Sequence, residues 1–332
     1  MRFLPKLKLS KWGRVVMSWQ IQYEERKSRL ETIGDWLSFV EEILESEAVY
    51  LGHGTDNYWD EALQLVFAAI QIPLTTGREI LGEFLEQREK NRVIDFLGKR
   101  VDQRQPLPYI TNQAWFMGMP FFVDERVLIP RSPMGEWISK AFSPFLKPNT
   151  VKRICDIGTG SGCIAIGLAL AFPQAKVDAV DICQQALSVA EKNIMDYELS
   201  SRIRTILGDA LSAVEGESYD LIVSNPPYVP DAENPLLPEE YRHEPAKALF
   251  SGVSGLDIVE GILSSAYRYL NKGGILVLEV GQTAVTLIKR YPQLPFLWLS
   301  CENGGEGLFL LMKEQLPIPS MGSTMLEDAE LE

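Results

Sequence analysis

Arg153-Ile154-Cys155-Asp156-Ile157-Gly158-Thr159-Gly160-Ser161-Gly162 decides the reading of this chain. A short apolar run containing Asp156 passes into a loop with glycine at every second position. An apolar helical pattern, residues 163–172, follows at once. Glycines at 158, 160 and 162 let the backbone turn sharply and approach a ligand closely. The spacing is not the Gly-x-Gly-x-x-Gly of dinucleotide folds, and no Gly-Lys-Ser/Thr follows to cradle a triphosphate. With Asp156 in front of it, such a loop suits a ligand that carries a cationic group.

Downstream the pattern alternates. Strands are predicted at 153–157, 176–181, 202–207, 219–224 and 274–280, and helices at 163–172, 184–197 and 256–270. Alternation of this kind demands a mostly parallel sheet with helices on both faces, an α/β fold. Two further runs, 296–301 and 307–312, read as a terminal hairpin. Asp181 ends the second strand about 20 residues beyond the loop, where a carboxylate accepts the two ribose hydroxyls of an adenosine; Ile182 follows it. Gly208-Asp209-Ala210-Leu211 ends the third strand and offers Asp209 to an adenine amino group. Any one of these acids also reads as a helix cap. Three at successive strand ends, on the edge where open α/β sheets bind ligands, read as a cofactor site.

The fourth strand runs into Asn225-Pro226-Pro227-Tyr228. Two adjacent prolines fix φ near −65° and remove two backbone donors, which stiffens the turn. Asn225 then presents one fixed acceptor and one fixed donor, suited to a substrate amide or amine. Alone, the tetrapeptide reads first as a turn that ends a strand; the motifs before it reverse that in favour of the binding role.

Asp156 through Gly162, Asp181, Asp209 and Asn225 through Tyr228 together resemble the motif series of class I S-adenosylmethionine-dependent methyltransferases. Asn-Pro-Pro-Tyr is shared there by protein-glutamine and DNA amino methyltransferases. Ile129-Pro130-Arg131 and a helical N-terminal region resemble the HemK-type glutamine methyltransferases. Within that family, His53-Gly54-Thr55-Asp56-Asn57, Trp59-Asp60-Glu61-Ala62 and Pro130-Arg131-Ser132-Pro133 resemble the branch that methylates large-subunit ribosomal protein L-three. The release-factor branch has Pro-Asp-Thr-Glu after the arginine, and Ser132-Pro133-Met134-Gly135 departs from it. The resemblance covers about residues 18–313.

It implies a Rossmann-like seven-stranded sheet with the last strand antiparallel, and S-adenosylmethionine held by Asp156, Gly158, Thr159, Gly160, Gly162, Asp181, Ile182, Asp209, Ala210 and Asn225. It implies catalysis and amide binding by Asn225, Pro226, Pro227 and Tyr228, with ribosomal protein L-three as substrate. Glutamine methylation of release factors is the alternative, and nucleic-acid amino methylation a more distant one. His243-Glu244-Pro245 and residues 252–256 resemble a segment that shapes the substrate pocket, but read equally well as a loop leading into a helix.

Upstream, apolar residues at three- and four-residue steps predict helices over 24–50, from Trp59 to Ile70, and over 76–100 with Ile80, Phe84, Val93 and Leu97 inward. The polar turn at 53–61 holds more acids and amides than helix capping requires. Asp56, Asp60 and Glu61 are therefore read as surface for docking a basic protein. A Trp115–Leu128 hairpin follows the proline-bearing linker. The expected organisation is a basic extension (1–17), a helical substrate-recognition domain (18–104), linker and hairpin (105–131), a catalytic domain (132–313) and an acidic tail (314–332), both tails disordered.

With 32 Lys and Arg against 45 Asp and Glu, the chain carries −13. An acidic body is a poor general binder of phosphate backbones and a fit partner for a basic protein. Four cysteines without Cys-x-x-Cys spacing read as reduced thiols in a cytoplasmic protein. Two histidines outside any ligand spacing predict no metal site. No apolar run approaches the roughly 20 residues of a membrane span. A monomer is expected.

Overall fold

The computed structural model describes residues 8–9, 15–16, 18–302 and 304–318. The chain divides into two compact units, Met1–Thr111 and Asn112–Glu332. In the first, β1 (Lys8–Leu9) and β2 (Val15–Val16) pair antiparallel. The rest of the basic extension and residues 319–332 of the acidic tail, both expected to be disordered, lie outside the described residues. Among the described residues no helix is long and apolar enough to cross a membrane.

The helical unit comprises α1 (Trp19–Arg26), α2 (Ile33–Ser46), α3 (Tyr58–Ile70), α4 (Gln87–Asp102) and α5 (Leu107–Thr111). The single helix predicted over 24–50 is two helices. Thr32 restarts the chain as a capping box: its hydroxyl accepts from the Asp35 N–H, and the Asp35 carboxylate accepts from the Thr32 N–H at 2.8 Å. The helix predicted over 76–100 also breaks. A 3-10 turn (Arg78–Gly82) gives way to an extended segment in which Phe84 bridges to Thr32. Extended backbone sends alternate side chains to opposite sides, so Leu85 is buried and Phe84, expected inward, is 71% exposed. Trp36, Phe39, Leu65, Val93 and Leu97 fill the core.

The polar turn before α3 is a cap, as one reading of it required. The Asn57 amide oxygen accepts from the Asp60 N–H at 2.8 Å, and its nitrogen donates to the Asp56 and Asp60 carboxylates. Glu61 corrects the docking reading. It lies on the inward face of α3 and is buried, accepting from Arg100 Nε at 2.7 Å and from the Thr55 hydroxyl. Arg100, also buried, donates to the Tyr50 carbonyl at 2.6 Å. Asp56 and Asp60 remain exposed beside a cavity of about 530 Å³ that Thr55, Gln64 and Leu74 also line.

In the second unit a hairpin, β3 (Gln113–Phe116) with β4 (Met119–Phe122), precedes α6 (Met134–Ser139) and a seven-stranded sheet. Helix α6 ends at Ser139, and the chain turns through residues 140–145. The strands are β5 (Arg153–Ile157), β6 (Lys176–Asp181), β7 (Ile203–Leu207), β8 (Tyr219–Ser224), β9 (Leu270–Glu279), β10 (Leu297–Trp298) and β11 (Leu308–Met312). Their order is β10-β11-β9-β8-β5-β6-β7, and only β11 runs against its neighbours. Helices α7 (Cys163–Ala171), α8 (Gln184–Asp196) and α9 (Asp257–Tyr269) cover the faces, so the central strands are mostly buried on both sides and rich in apolar residues. After β5 the chain adds β6 and β7 on one side, then crosses to β8 on the other. The crevice between the C-terminal ends of β5 and β8 is thus the switch point where such sheets bind ligands.

Candidate active site

The glycine loop leaves β5 at that crevice. The Gly158 and Thr159 N–H groups donate to the Val180 carbonyl of β6 at 2.8 and 3.0 Å, which folds the loop over the sheet edge. Gly158, Gly160 and Gly162 all have positive φ. At Gly162 a Cβ would press on Ala190 of α8 at 3.2 Å, so this glycine serves helix packing. At Gly158 a Cβ would meet nothing within 4 Å, which leaves the loop backbone open to an incoming ligand.

Asp156 lies under the loop, fully buried. Its Oδ2 accepts from the Thr159 hydroxyl at 2.6 Å, and its Oδ1 has no hydrogen-bond partner. Burial pushes its carboxyl up to about 7, against the Thr159 hydroxyl and the nearby Ala165 N–H, which favour the ionised form. A buried acceptor left open in this way fits a ligand with a cationic end.

Asp181 ends β6 as predicted. Its oxygens already accept from the Gly160 and Cys183 N–H groups, both at 2.9 Å, which ties the glycine loop to the second strand. A carboxylate has about four lone-pair sites, so capacity for ribose hydroxyls remains. Burial raises its carboxyl, and the three backbone donors at Cys183, Gly160 and Ile182 oppose that rise. Ile182 beside it is 65% exposed, an apolar surface placed for a flat ring. Asp209 is exposed at the start of the 3-10 turn Ala210–Val214, and its side chain makes no cap bond there. Ala210 has φ +44. The structure therefore brings every predicted cofactor residue to one sheet edge.

Asn225 follows the last residue of β8, whose Ser224 hydroxyl donates to the Ile157 carbonyl of β5 at 2.7 Å. Among the described residues the Asn225 side chain has no hydrogen-bond partner, so its amide is uncommitted. Pro226 is buried, and Pro227 and Tyr228 are half-buried. Beyond the turn, Val229 pairs with Phe250, and a Cβ at Gly255 would lie 2.2 Å from the Tyr228 carbonyl. The segment 252–256 that sequence left undecided thus packs directly on the turn.

Sequence reasoning missed two buried carboxylates here. Glu244, left without a role, accepts from both terminal nitrogens of Arg131 at 2.6 and 2.8 Å and from the Ile129 N–H at 3.0 Å. This bidentate pair, with Arg131 also over the Tyr241 ring, clamps 129–131 against the loop that follows the Asn225 turn. Glu279, at the end of β9, accepts from the Tyr228 and Ser132 hydroxyls at 3.0 and 2.5 Å. The available signal was an acid closing the apolar run Leu276-Val277-Leu278, and a proline-flanked arginine. Ser132 also borders a cavity of about 630 Å³ lined by Trp115, Met117, Arg131 and Gly304.

A family model described as the methyltransferase small domain matches residues 138–252, which include both the glycine loop and the Asn225 turn. The ribosomal protein uL3 glutamine methyltransferase of Francisella tularensis subsp. tularensis is 41% identical over 290 residues, 87% of this chain and 92% of that protein. The protein of the same name from Bordetella pertussis is 42% identical over 291 residues, 87% of this chain and 98% of its own. A crystal structure of a methyltransferase from Pyrococcus furiosus is 18% identical and covers 59% of this chain and 89% of that chain, with a TM-score of 0.42. Matched to two such relatives along most of its length, the chain belongs to the family of ribosomal protein uL3 glutamine methyltransferases.

Proposed function

We propose that this protein transfers a methyl group from S-adenosylmethionine to the side-chain amide nitrogen of a glutamine in ribosomal protein uL3. The observation that carries the reading is the uncommitted amide of Asn225, set on a rigid turn at the switch point beside the glycine loop. The names of the two relatives supply the acceptor protein, and they favour uL3 over release factors.

S-adenosylmethionine supplies an activated methyl on a sulfonium, so the chain's own task is alignment and electrostatics. Asp156 answers the cationic end, Asp181 the ribose hydroxyls, and Asp209 with Ile182 the adenine. An amide nitrogen is a poor nucleophile because its lone pair is delocalised into the carbonyl. The Asn225 side-chain oxygen and the Pro226 carbonyl accept its two N–H bonds, which orients the nitrogen and enriches it in electrons. The Tyr228 ring covers the flat amide and keeps water away. With S-adenosylmethionine held there, its methyl would pass from sulfur to that nitrogen, and the nitrogen would release one proton to solvent.

In domain terms, the helical unit serves recognition and the sheet-bearing unit catalysis. The enzyme acts in the cytoplasm as a monomer. The test sets labelled S-adenosylmethionine and the purified protein beside uL3, release factors and DNA. Label on a uL3 glutamine is the expected result; label confined to release factors or DNA would overturn the assignment of the substrate.

A further inference from the structure

We infer that Glu279 is a positioning residue for methyl transfer: with Ser132 behind it, it fixes the Tyr228 ring against the acceptor amide. The inference rests on the reading of Asn225–Tyr228 as the acceptor turn. Tyr228 is restrained on three sides. A Cβ at Gly281 would lie 2.6 Å from Tyr228 Cε2 and 3.0 Å from Cζ, so the ring packs flat on that glycine. The Tyr228 carbonyl sits against Gly255, where no side chain fits. The ring's hydroxyl donates to Glu279 Oε1 at 3.0 Å. Packing on its face restrains an in-plane swing of the ring less than a tilt, and the hydroxyl bond opposes that swing.

Glu279 is itself held. It is 4% exposed and closes β9, whose Leu278 pairs with Ser224, the residue before Asn225. Its second oxygen accepts from the Ser132 hydroxyl at 2.5 Å, and Ser132 Oγ accepts from the Met134 N–H at 3.2 Å. The start of α6 is thereby linked through one carboxylate to the aromatic ring of the turn. A carboxylate can serve two hydroxyl donors at once because both its oxygens accept. Burial raises the Glu279 carboxyl, and the Ser132 and Tyr228 hydroxyls and the positive charge of Arg131, itself held by Glu244, oppose that rise. Burial costs such a carboxylate a great deal unless it is bonded, and a core position at this strand end is filled more cheaply by leucine. Placement of the acid behind the reacting turn is what its function there explains.

The test is a double-mutant cycle on Tyr228→Phe and Glu279→Gln, with Ser132→Ala as a third arm, in the full-length protein. Each of the first two is expected to lower kcat on uL3 by about 10- to 100-fold, the range for a misplaced reacting group. The double variant is expected to be no slower than the worse single variant, because both remove one restraint. Ser132→Ala, one step further from the ring, is expected to lose about fivefold or less. Affinity for S-adenosylmethionine, read by calorimetry, is expected to stay within twofold throughout. A purely structural contact would move the unfolding midpoints and leave kcat at a temperature well below them unchanged; that result, or losses in kcat that multiply in the double variant, overturns the inference. A wild-type protein that methylates no glutamine overturns the functional reading and takes this inference with it.

Discussion

Asp156 makes cofactor binding depend on pH near neutrality, and the direction follows from its surroundings. Buried, with one oxygen bonded to Thr159 and the other open, its carboxyl is pushed up to about 7. The neighbouring titratable groups are Asp181, whose charge adds to the rise, and the buried thiols of Cys155 and Cys163. A cationic ligand binds the ionised form, so the proton competes with it. With a midpoint near 7, the ionised fraction is about ten-elevenths at pH 8 and about one-eleventh at pH 6. The apparent Kd for S-adenosylmethionine should therefore rise about tenfold between pH 8 and pH 6. Calorimetry in two buffers of different ionisation heat counts the proton released, about half per site at pH 7. Asp156→Asn, measured over the same range, removes the contribution of this residue and retains that of the ligand's own amine. Equal slopes in the wild type and in Asp156→Asn would refute the reasoning. The same shift works on the free protein in the opposite sense. A carboxyl raised from 3.8 to about 7 contributes stability that is present below 3.8 and lost as pH rises through 7. Unfolding followed against pH without ligand should show that loss, and saturating S-adenosylmethionine should offset it.

Asn225→Ala should lower turnover by about 10²–10³ while cofactor affinity holds, because the proposed reading sets Asn225 against the acceptor amide and not the adenosine; rate and calorimetry together check this. Asp181→Ala should weaken cofactor binding first, and more than the loss of a ribose contact alone, since its oxygens also hold Gly160 and Cys183. Arg100→Met should destabilise the protein by about 3–5 kcal/mol in denaturant titration, because it strands the buried Glu61 carboxylate. Replacing Asp56 and Asp60 together by asparagine, and leaving Glu61 in place, should raise KM for the basic uL3 at low salt and much less at high salt. An unchanged KM at low salt would mean that the turn only caps α3.

What was legible in the sequence had a short-range cause. Strands β5, β6 and β8 are buried along most of their length, so each is marked by β-branched and other apolar residues clustered within five or six positions, and their ends were read correctly. Positive φ at alternate positions requires glycine, and a rigid turn after β8 requires proline; both leave marks within a few residues. The helix breaks near Leu30 and Gly82 were lost for the opposite reason. Apolar periodicity ran through them, and the weaker mark of the Thr32-x-x-Asp35 box was outweighed by it.

The buried pairs could not be found by periodicity, because their partners are far apart in the chain. Arg100 meets Glu61 across 39 residues, Arg131 meets Glu244 across 113, and Ser132 meets Glu279 across 147. One local trace remained for the first and the last: a charge at a position the surrounding pattern marks as inward. Arg100 falls in step with Val93 and Leu97, Glu61 beside Ala62 and Leu65, and Glu279 at the end of Leu276-Val277-Leu278. A charge in such a place must be paired, so its presence announces a partner elsewhere without naming it. The three pairs nevertheless differ in what they can serve. Glu61–Arg100 lies inside the helical unit and is bonded to the Tyr50 carbonyl and the Thr55 hydroxyl of that unit, so its effect is on stability. Glu244 and Glu279 each bond a residue within 129–132, and each holds chain that begins at or follows the Asn225 turn. Their removal should therefore register in turnover of the acceptor before it registers in cofactor affinity, the order expected of groups that shape the acceptor side of a two-substrate site.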